Sequence, residues 1–146
     1  MHRFTSSDGI EFVKSFEGFK DRPYLCPAGI LTIGYGHVIS KDENYNVISD
    51  DYAMELLQRD LFISERAVLR NINVALSQMQ FDALVSFTFN LGSGVLQRST
   101  LRQKINYGAT LADIRAEFLR WIYSKGLILH GLVKRRSLEA DMYLQL

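Results

Sequence analysis

The spacing of apolar residues changes twice along the chain. Behind Asp8 and Glu11, which read as an N-terminal cap, Ile10, Val13 and Phe16 recur at helical intervals until Gly18 stops the run, so a helix is predicted with Glu17 in its last turn. The period then shortens. In RPYLCPAGILTIGYGHV, Pro27-Ala28-Gly29 is a turn between two β-prone runs, Tyr24-Leu25-Cys26 and Ile30-Leu31-Thr32-Ile33, which predict a small hairpin directly after the helix. From Ser49 the helical period returns and persists. Asp50 and Asp51 suit a helix start, and Met54, Leu57, Leu61 and Val68 mark one apolar face. Ser77 and Gln80 fit a capping box ahead of FDALVSFTFNLG, with Gly92 as its stop, and Thr100 with Gln103 opens a short helix ending near Gly108. Thr110 to Lys125 and Val133 to Leu146 complete the predicted set.

These elements predict an α+β fold of two lobes within a single domain over residues 1–146. A helix and hairpin at about 8–38 form a small N-terminal lobe, a linking helix covers about 50–70, and a mainly helical lobe covers about 77–146. The chain shows no internal repeat, low-complexity tract or Pro-rich linker, and a 47% apolar composition suffices for a packed core. The cleft between the lobes is the expected site.

Composition narrows the function. No apolar run reaches the roughly 18 residues of a membrane span, and the N-terminal segment lacks the apolar stretch of a secretory signal. Cys26 is the single cysteine, which suits synthesis in a reducing compartment as a free thiol. The net charge of +1 conceals an asymmetry: residues 1–93 carry 8 Lys/Arg against 12 Asp/Glu, and residues 94–146 carry 9 against 4, giving −4 and +5. A basic half suits an anionic polymer, or is simply a set of solvated helix faces. Basic residues do not interleave with stacking aromatics, so nucleic acid is not an expected partner. His2, His37 and His130 lack metal-ligand spacing, so no metal is expected.

Glycosidic hydrolysis needs a protonated acid at the leaving oxygen and a second group that handles water or the oxocarbenium-like transition state. Glu17 closes a helix, and Cys26 and Thr32 lie on neighbouring strands of the following hairpin, so all three side chains can line one wall. Spacing alone leaves the alternatives open: a solvated glutamate and a structural cysteine.

The segment EGFKDRPYLCPAGILTIGYGH resembles the signature of the phage-type lysozymes, muramidases among the glycoside hydrolases: a glutamate, eight residues, an aspartate or cysteine, five residues and a threonine. Similarity continues through QFDALVSFTFNLG at 80–92, STLRQKIN at 99–106 and GLVKRRSLEADMYL at 131–144. The resemblance implies a two-lobed lysozyme-like fold and cofactor-free hydrolysis of the β-1,4 bond between N-acetylmuramic acid and N-acetylglucosamine in peptidoglycan. It implies that Glu17 is the general acid, that Cys26 positions or activates water, and that Thr32 holds substrate and water. It further implies that His37 pairs with Asp60, and that Arg135, in preference to Arg136, faces Glu17 across the lobe junction. The alternative for that arginine is a solvated pairing with Glu139.

Cys26 departs from the commoner aspartate. A thiol with an ordinary pKa of about 8.5 is mostly neutral at pH 7 and a poor base unless its surroundings lower that value, whereas its thiolate is a good nucleophile. Gly34 and Gly36 are expected to bring the backbone close to sugar rings. Trp121 reads as core rather than as a sugar-stacking platform. The role implied is host-cell lysis at the end of a phage or prophage cycle, by a monomer that accumulates in the host cytoplasm and reaches the wall through a holin-like pore. Two other classes compete: a non-catalytic wall-binding module, and a membrane-active protein acting through the basic segment KRRSLEADMYLQL.

Overall fold

Hydroxyl caps set most helix starts in the computed structural model, which describes residues 1–145. Helix α1, Ser7–Glu17, is capped by Ser6, whose hydroxyl oxygen accepts from the Gly9 amide at 3.1 Å. The cap expected at Asp8 and Glu11 therefore lies inside the helix. Ser6 takes that place because it is also tied to the buried Asp82, which accepts from both its amide and its hydroxyl.

Strands β1 (Lys20–Leu25), β2 (Leu31–Gly34) and β3 (His37–Val38) form an antiparallel sheet in that order. The register pairs Tyr24 with Thr32, Leu25 with Leu31 and Ile33 with His37. Two departures from the sequence-based hairpin appear here. A third strand returns through Tyr35-Gly36, and Cys26 starts the turn instead of continuing β1. Its amide still donates to Ile30 O at 3.0 Å and its carbonyl accepts from Gly29 at 2.8 Å, but Pro27 has no N–H with which to extend the ladder.

Helix α2, Asp50–Asn71, is capped by Ser49 and buries Leu57, Leu61 and Val68 as the apolar pattern requires, with Met54 half-buried. Helix α3, Gln78–Leu91, carries both halves of the capping box between Ser77 and Gln80 and ends at Gly92. Every residue from Phe81 to Thr88 is buried, so α3 is the central rod of the helical lobe and has no polar stripe over that stretch. A short helix not expected from the sequence, α4 (Ser93–Arg98), precedes α5 (Thr100–Tyr107). Ser99 caps α5 one residue before the expected start, and Gly108 ends it in the left-handed conformation.

Helix α6, Leu111–Phe118, is capped by Thr110 but stops well short of Lys125. Instead β4 (Tyr123–Ser124) pairs with β5 (Leu127–Ile128) around Lys125-Gly126, both at positive φ, as a tight two-residue hairpin demands. Helix α7, His130–Leu144, begins three residues before the expected Val133; Leu146, the expected end, lies outside the described residues. Trp121 stands edge-on to Phe87, centroids 6.0 Å apart, against the core expected for it. Among the described residues no helix is long and apolar enough to cross a membrane.

Candidate active site

Glu17 is the last residue of α1, and Gly18, at φ 68°, swings the chain away into β1. The glutamate is thereby left at the point where the small lobe meets α7. Arg135 Nη1 donates to Glu17 Oε2 at 2.6 Å, and Arg135 Nε lies 3.3 Å from Glu139 Oε2. The same guanidinium donates to the hydroxyl and carbonyl of Ser86 on α3, and its carbon lies 5.2 Å from the centre of the Phe16 ring. One planar cation thus clamps α1, α3 and α7 together. Side-chain exposure is 20% for Glu17, 4% for Arg135 and 0% for Glu139, so only the glutamate of α1 has an open side.

Behind this pair, Arg136 hydrogen-bonds Asn90 and lies 3.2 Å from Glu139 through Nη1 and Oε1. The solvated pairing considered for Glu139 is therefore wrong: α7 turns Arg135, Arg136 and Glu139 into the interior against α3. Burial pushes the Glu139 carboxyl up and both arginines pull it back. Burial also lowers Arg136 to about 10. Two cations against two carboxylates, Glu17 and Glu139, make the junction formally neutral, which limits the cost of burying its charges. The same burial removes the basis for a free amphipathic helix at KRRSLEADMYLQL.

Gly36 flanks Glu17. A Cβ there would stand 2.5 Å from Glu17 Oε1, and φ is 79°, so the backbone is tight against the carboxylate. Gly34, at φ 66°, brings β2 against Ala53 of α2, where a Cβ would sit 3.2 Å from the alanine methyl. Both glycines were expected to bring the backbone close to sugar rings; within the chain itself, Gly36 lies against Glu17 and Gly34 against Ala53.

Cys26 is half-buried at the hairpin turn. Its thiol is held below the ordinary value, chiefly by the hydrogen bond from the Ile30 amide, against burial, with the Ala28 amide and Thr32 hydroxyl adding to the effect. Thr32 is buried and donates to Ile30 O at 2.8 Å. Tyr24, opposite Thr32, is a member of this group that the sequence reading missed. Burial, then the negative charges of Glu17 and Cys26, raise its phenol, so it stands within electrostatic reach of both. The turn read at Pro27-Ala28-Gly29 already held the signal, since a register centred on Ala28 puts Tyr24 across from Thr32.

His37 Nδ1 lies 2.8 Å from Asp60 Oδ2, and its Nε2 lies 3.0 Å from Glu43 Oε2. Burial alone would lower its pKa, but the two carboxylates outweigh it and the net direction is up. Glu43 is held down at about 2 by the Ser40 amide and Tyr45 hydroxyl, with His37 adding. Between the lobes a cavity of about 270 Å³ has Gly36, Val38 and Asp60 on one side and Thr88, Phe89 and Ser93 on the other. A larger hollow of about 420 Å³ beside Gln58 and Phe62 touches none of the predicted site residues. Among the described residues no three His, Cys, Asp or Glu side chains are grouped to hold a metal.

The chain as a whole has relatives among known proteins. The chain is 41% identical over 141 residues to an endolysin of Bacillus phage B103, covering 95% of this chain and 53% of that relative; it thus spans about half that protein's length. An endolysin of Acyrthosiphon pisum secondary endosymbiont phage 1 is 34% identical, with 94% of this chain and 96% of that one covered. Among solved structures, the endolysin from Escherichia coli O157:H7 phage FAHEc1 superposes with a TM-score of 0.89 at 34% identity, covering 99% and 95% of the two chains. The family model for phage lysozyme matches residues 14–139, from the middle of α1 to Glu139 in α7, and the chain belongs to the phage lysozyme family.

Proposed function

We propose that this chain is the lysozyme domain of an endolysin, a glycoside hydrolase that cleaves the β-1,4 bond between N-acetylmuramic acid and N-acetylglucosamine in peptidoglycan without a cofactor. The observation that carries the proposal is Glu17 at the lobe junction, with Arg135 on one oxygen, Gly36 against the other and Tyr24 of the following hairpin within electrostatic reach of both Glu17 and Cys26.

Glu17 gives its proton to the leaving glycosidic oxygen as the C–O bond breaks, and the carboxylate charge that develops is met by the Arg135 guanidinium already in place. A cation at that oxygen acts most strongly on the charge that appears during proton transfer, which is where an interaction accelerates the reaction. Cys26, with the Thr32 hydroxyl, orients the attacking water and, as thiolate, takes its proton while the hydroxyl joins the anomeric carbon; His37, Gly34 and Gly36 hold this wall in shape. In this reading residues 1–146 are a single lysozyme domain, and the enzyme works as a monomer, accumulates in the host cytoplasm and passes a holin-like pore to lyse the cell. Glu17→Gln tests it: the amide keeps the shape but has no proton to give, so hydrolysis of purified walls is expected to fall by at least ~10²-fold with circular dichroism unchanged. More than a tenth of the activity in a folded variant overturns the assignment.

A further inference from the structure

We propose that the helical lobe carries a second binding site, for an anionic group of the wall polymer, in the pocket closed by Arg98, Arg120 and Trp121; the identity of that polymer rests on the function proposed above. The pocket, about 210 Å³, is lined by these three side chains together with Ser99, Thr100 and Glu117. Its charges do not cancel. Glu117 is the one carboxylate in the lining and is already taken: Lys104 Nζ lies 2.9 Å from its Oε2 and Arg120 Nη1 3.2 Å from its Oε1. The Arg98 side chain has no ion pair or hydrogen bond among the described residues, and Arg120, 66% exposed at its side chain, uses one nitrogen on Glu117 and keeps the rest of its fork free. Two guanidiniums over a satisfied carboxylate, beside serine and threonine hydroxyls and a half-buried indole, match a carboxylate or phosphate carried on a partly apolar chain.

The pocket and the cleft lie at opposite ends of α4. Gly92 and Ser93 line the inter-lobe cavity, Arg98 is five residues further on, about 8 Å along the helix axis, and its Nη1 sits 2.9 Å from where a Cβ of Gly94 would be. The guanidinium thus folds back over Gly94, one residue from the cleft wall. A glycan strand in the cleft would present its side groups, either stem-peptide carboxylates or the phosphates of attached polymers, to this ridge.

Binding is measured by co-sedimentation of Glu17→Gln protein with insoluble purified walls, alone and with Arg98→Gln/Arg120→Gln added, so turnover plays no part. The walls are used intact, after hydrofluoric acid has removed phosphate polymers, and after carbodiimide has capped carboxylates as amides. Both arginines are exposed and Lys104 still satisfies Glu117, so folding is expected to be retained. Loss of two charge-assisted contacts is expected to weaken binding to intact walls about tenfold or more. The difference between the two proteins vanishes on amidated walls if the ligand is a carboxylate, and on acid-treated walls if it is a phosphate. Equal binding of both proteins to intact walls, or a difference that survives both treatments together, overturns the proposal. Neither result bears on the muramidase reading, which stands or falls on wall hydrolysis by the unaltered protein and its loss in Glu17→Gln.

Discussion

A methyl group at position 36 would stand 2.5 Å from Glu17 Oε1 on a backbone with φ 79°, so Gly36→Ala faces both a clash and a left-handed conformation. The second effect alone costs roughly 1–2 kcal/mol, and displacement of a reacting group by about 1 Å can cost ~10²-fold in rate. Gly36→Ala is therefore expected to lower the thermal midpoint and to reduce wall hydrolysis more steeply than that loss of stability explains; full activity in the folded variant would show that Gly36 does not set the carboxylate. Cys26 is a different case, because the amides of Ile30 and Ala28 and the Thr32 hydroxyl favour its thiolate. Cys26→Asp keeps an ionised group in that environment and is expected to stay active, whereas Cys26→Ala is expected to lose roughly 10²-fold and Cys26→Ser to behave like alanine. An alanine variant as active as the parent would make the cysteine a packing residue. Spacing alone left Glu17, Cys26 and Thr32 as candidates, and it was the family signature that singled them out. Tyr24 and Glu43 lay outside that signature: Tyr24 follows only when the turn at Ala28 is carried into strand register, and Glu43 depends on a loop returning to His37.

Helix α6 shows how an element is misread. Leu119, Trp121 and Ile122 continue an apolar pattern behind Ile114 and Phe118, and the periodicity extends the helix to Lys125, yet the chain tightens at Phe118, whose carbonyl accepts from Trp121 at 3.2 Å, and re-emerges as a hairpin. Lys125-Gly126 was the turn signal, weaker than Asn-Gly because lysine has no side-chain means of favouring positive φ. Lys125, at φ 51°, is accordingly the expected site of a stabilising change: Lys125→Asn supplies the favoured residue and should raise unfolding free energy by a few tenths to about 1 kcal/mol in denaturant titration. A lower midpoint would mean that the lysine side chain contributes more than its backbone costs. The capping box at Ser77 and the stops at Gly92 and Gly108 were readable in advance because a cap is local chemistry. The shift of the α1 cap from Asp8 to Ser6 was not, because Ser6 is selected by Asp82, whose carboxylate comes from α3.

At the scale of the whole molecule, two charged clusters lie on either side of Gly36: Arg135 ties α1 to α3 and α7, and His37 ties the small sheet to α2. The second gives stability a pH dependence with a definite sign. His37, between Asp60 and Glu43, has its folded pKa raised above the ordinary 6.5, so it binds its proton more tightly in the fold. Its contribution is complete below pH 6.5 and is lost as pH rises through the folded value. Glu43 has its folded pKa lowered from 4.5 to about 2, so its contribution is complete above pH 4.5 and is lost as pH falls toward 2. Both are whole between pH 4.5 and 6.5. Asp60, raised by burial despite His37, acts in the opposite sense: the fold favours its protonated form, so acidification is partly offset there, and the alkaline side gives the cleaner measurement. The other groups facing the cluster are Tyr45, whose phenol is raised by its hydrogen bond to Glu43, and Arg59, whose positive charge pulls the Asp60 carboxyl down against its burial. Thermal midpoints of the parent and of His37→Gln, followed from pH 5 to 9, are therefore expected to lie furthest apart at the acid end and to converge above the folded histidine value, because glutamine keeps a donor for one carboxylate but carries no charge. A gap that stays constant across that range would mean that His37 stabilises the junction between sheet and α2 through shape and neutral hydrogen bonds alone.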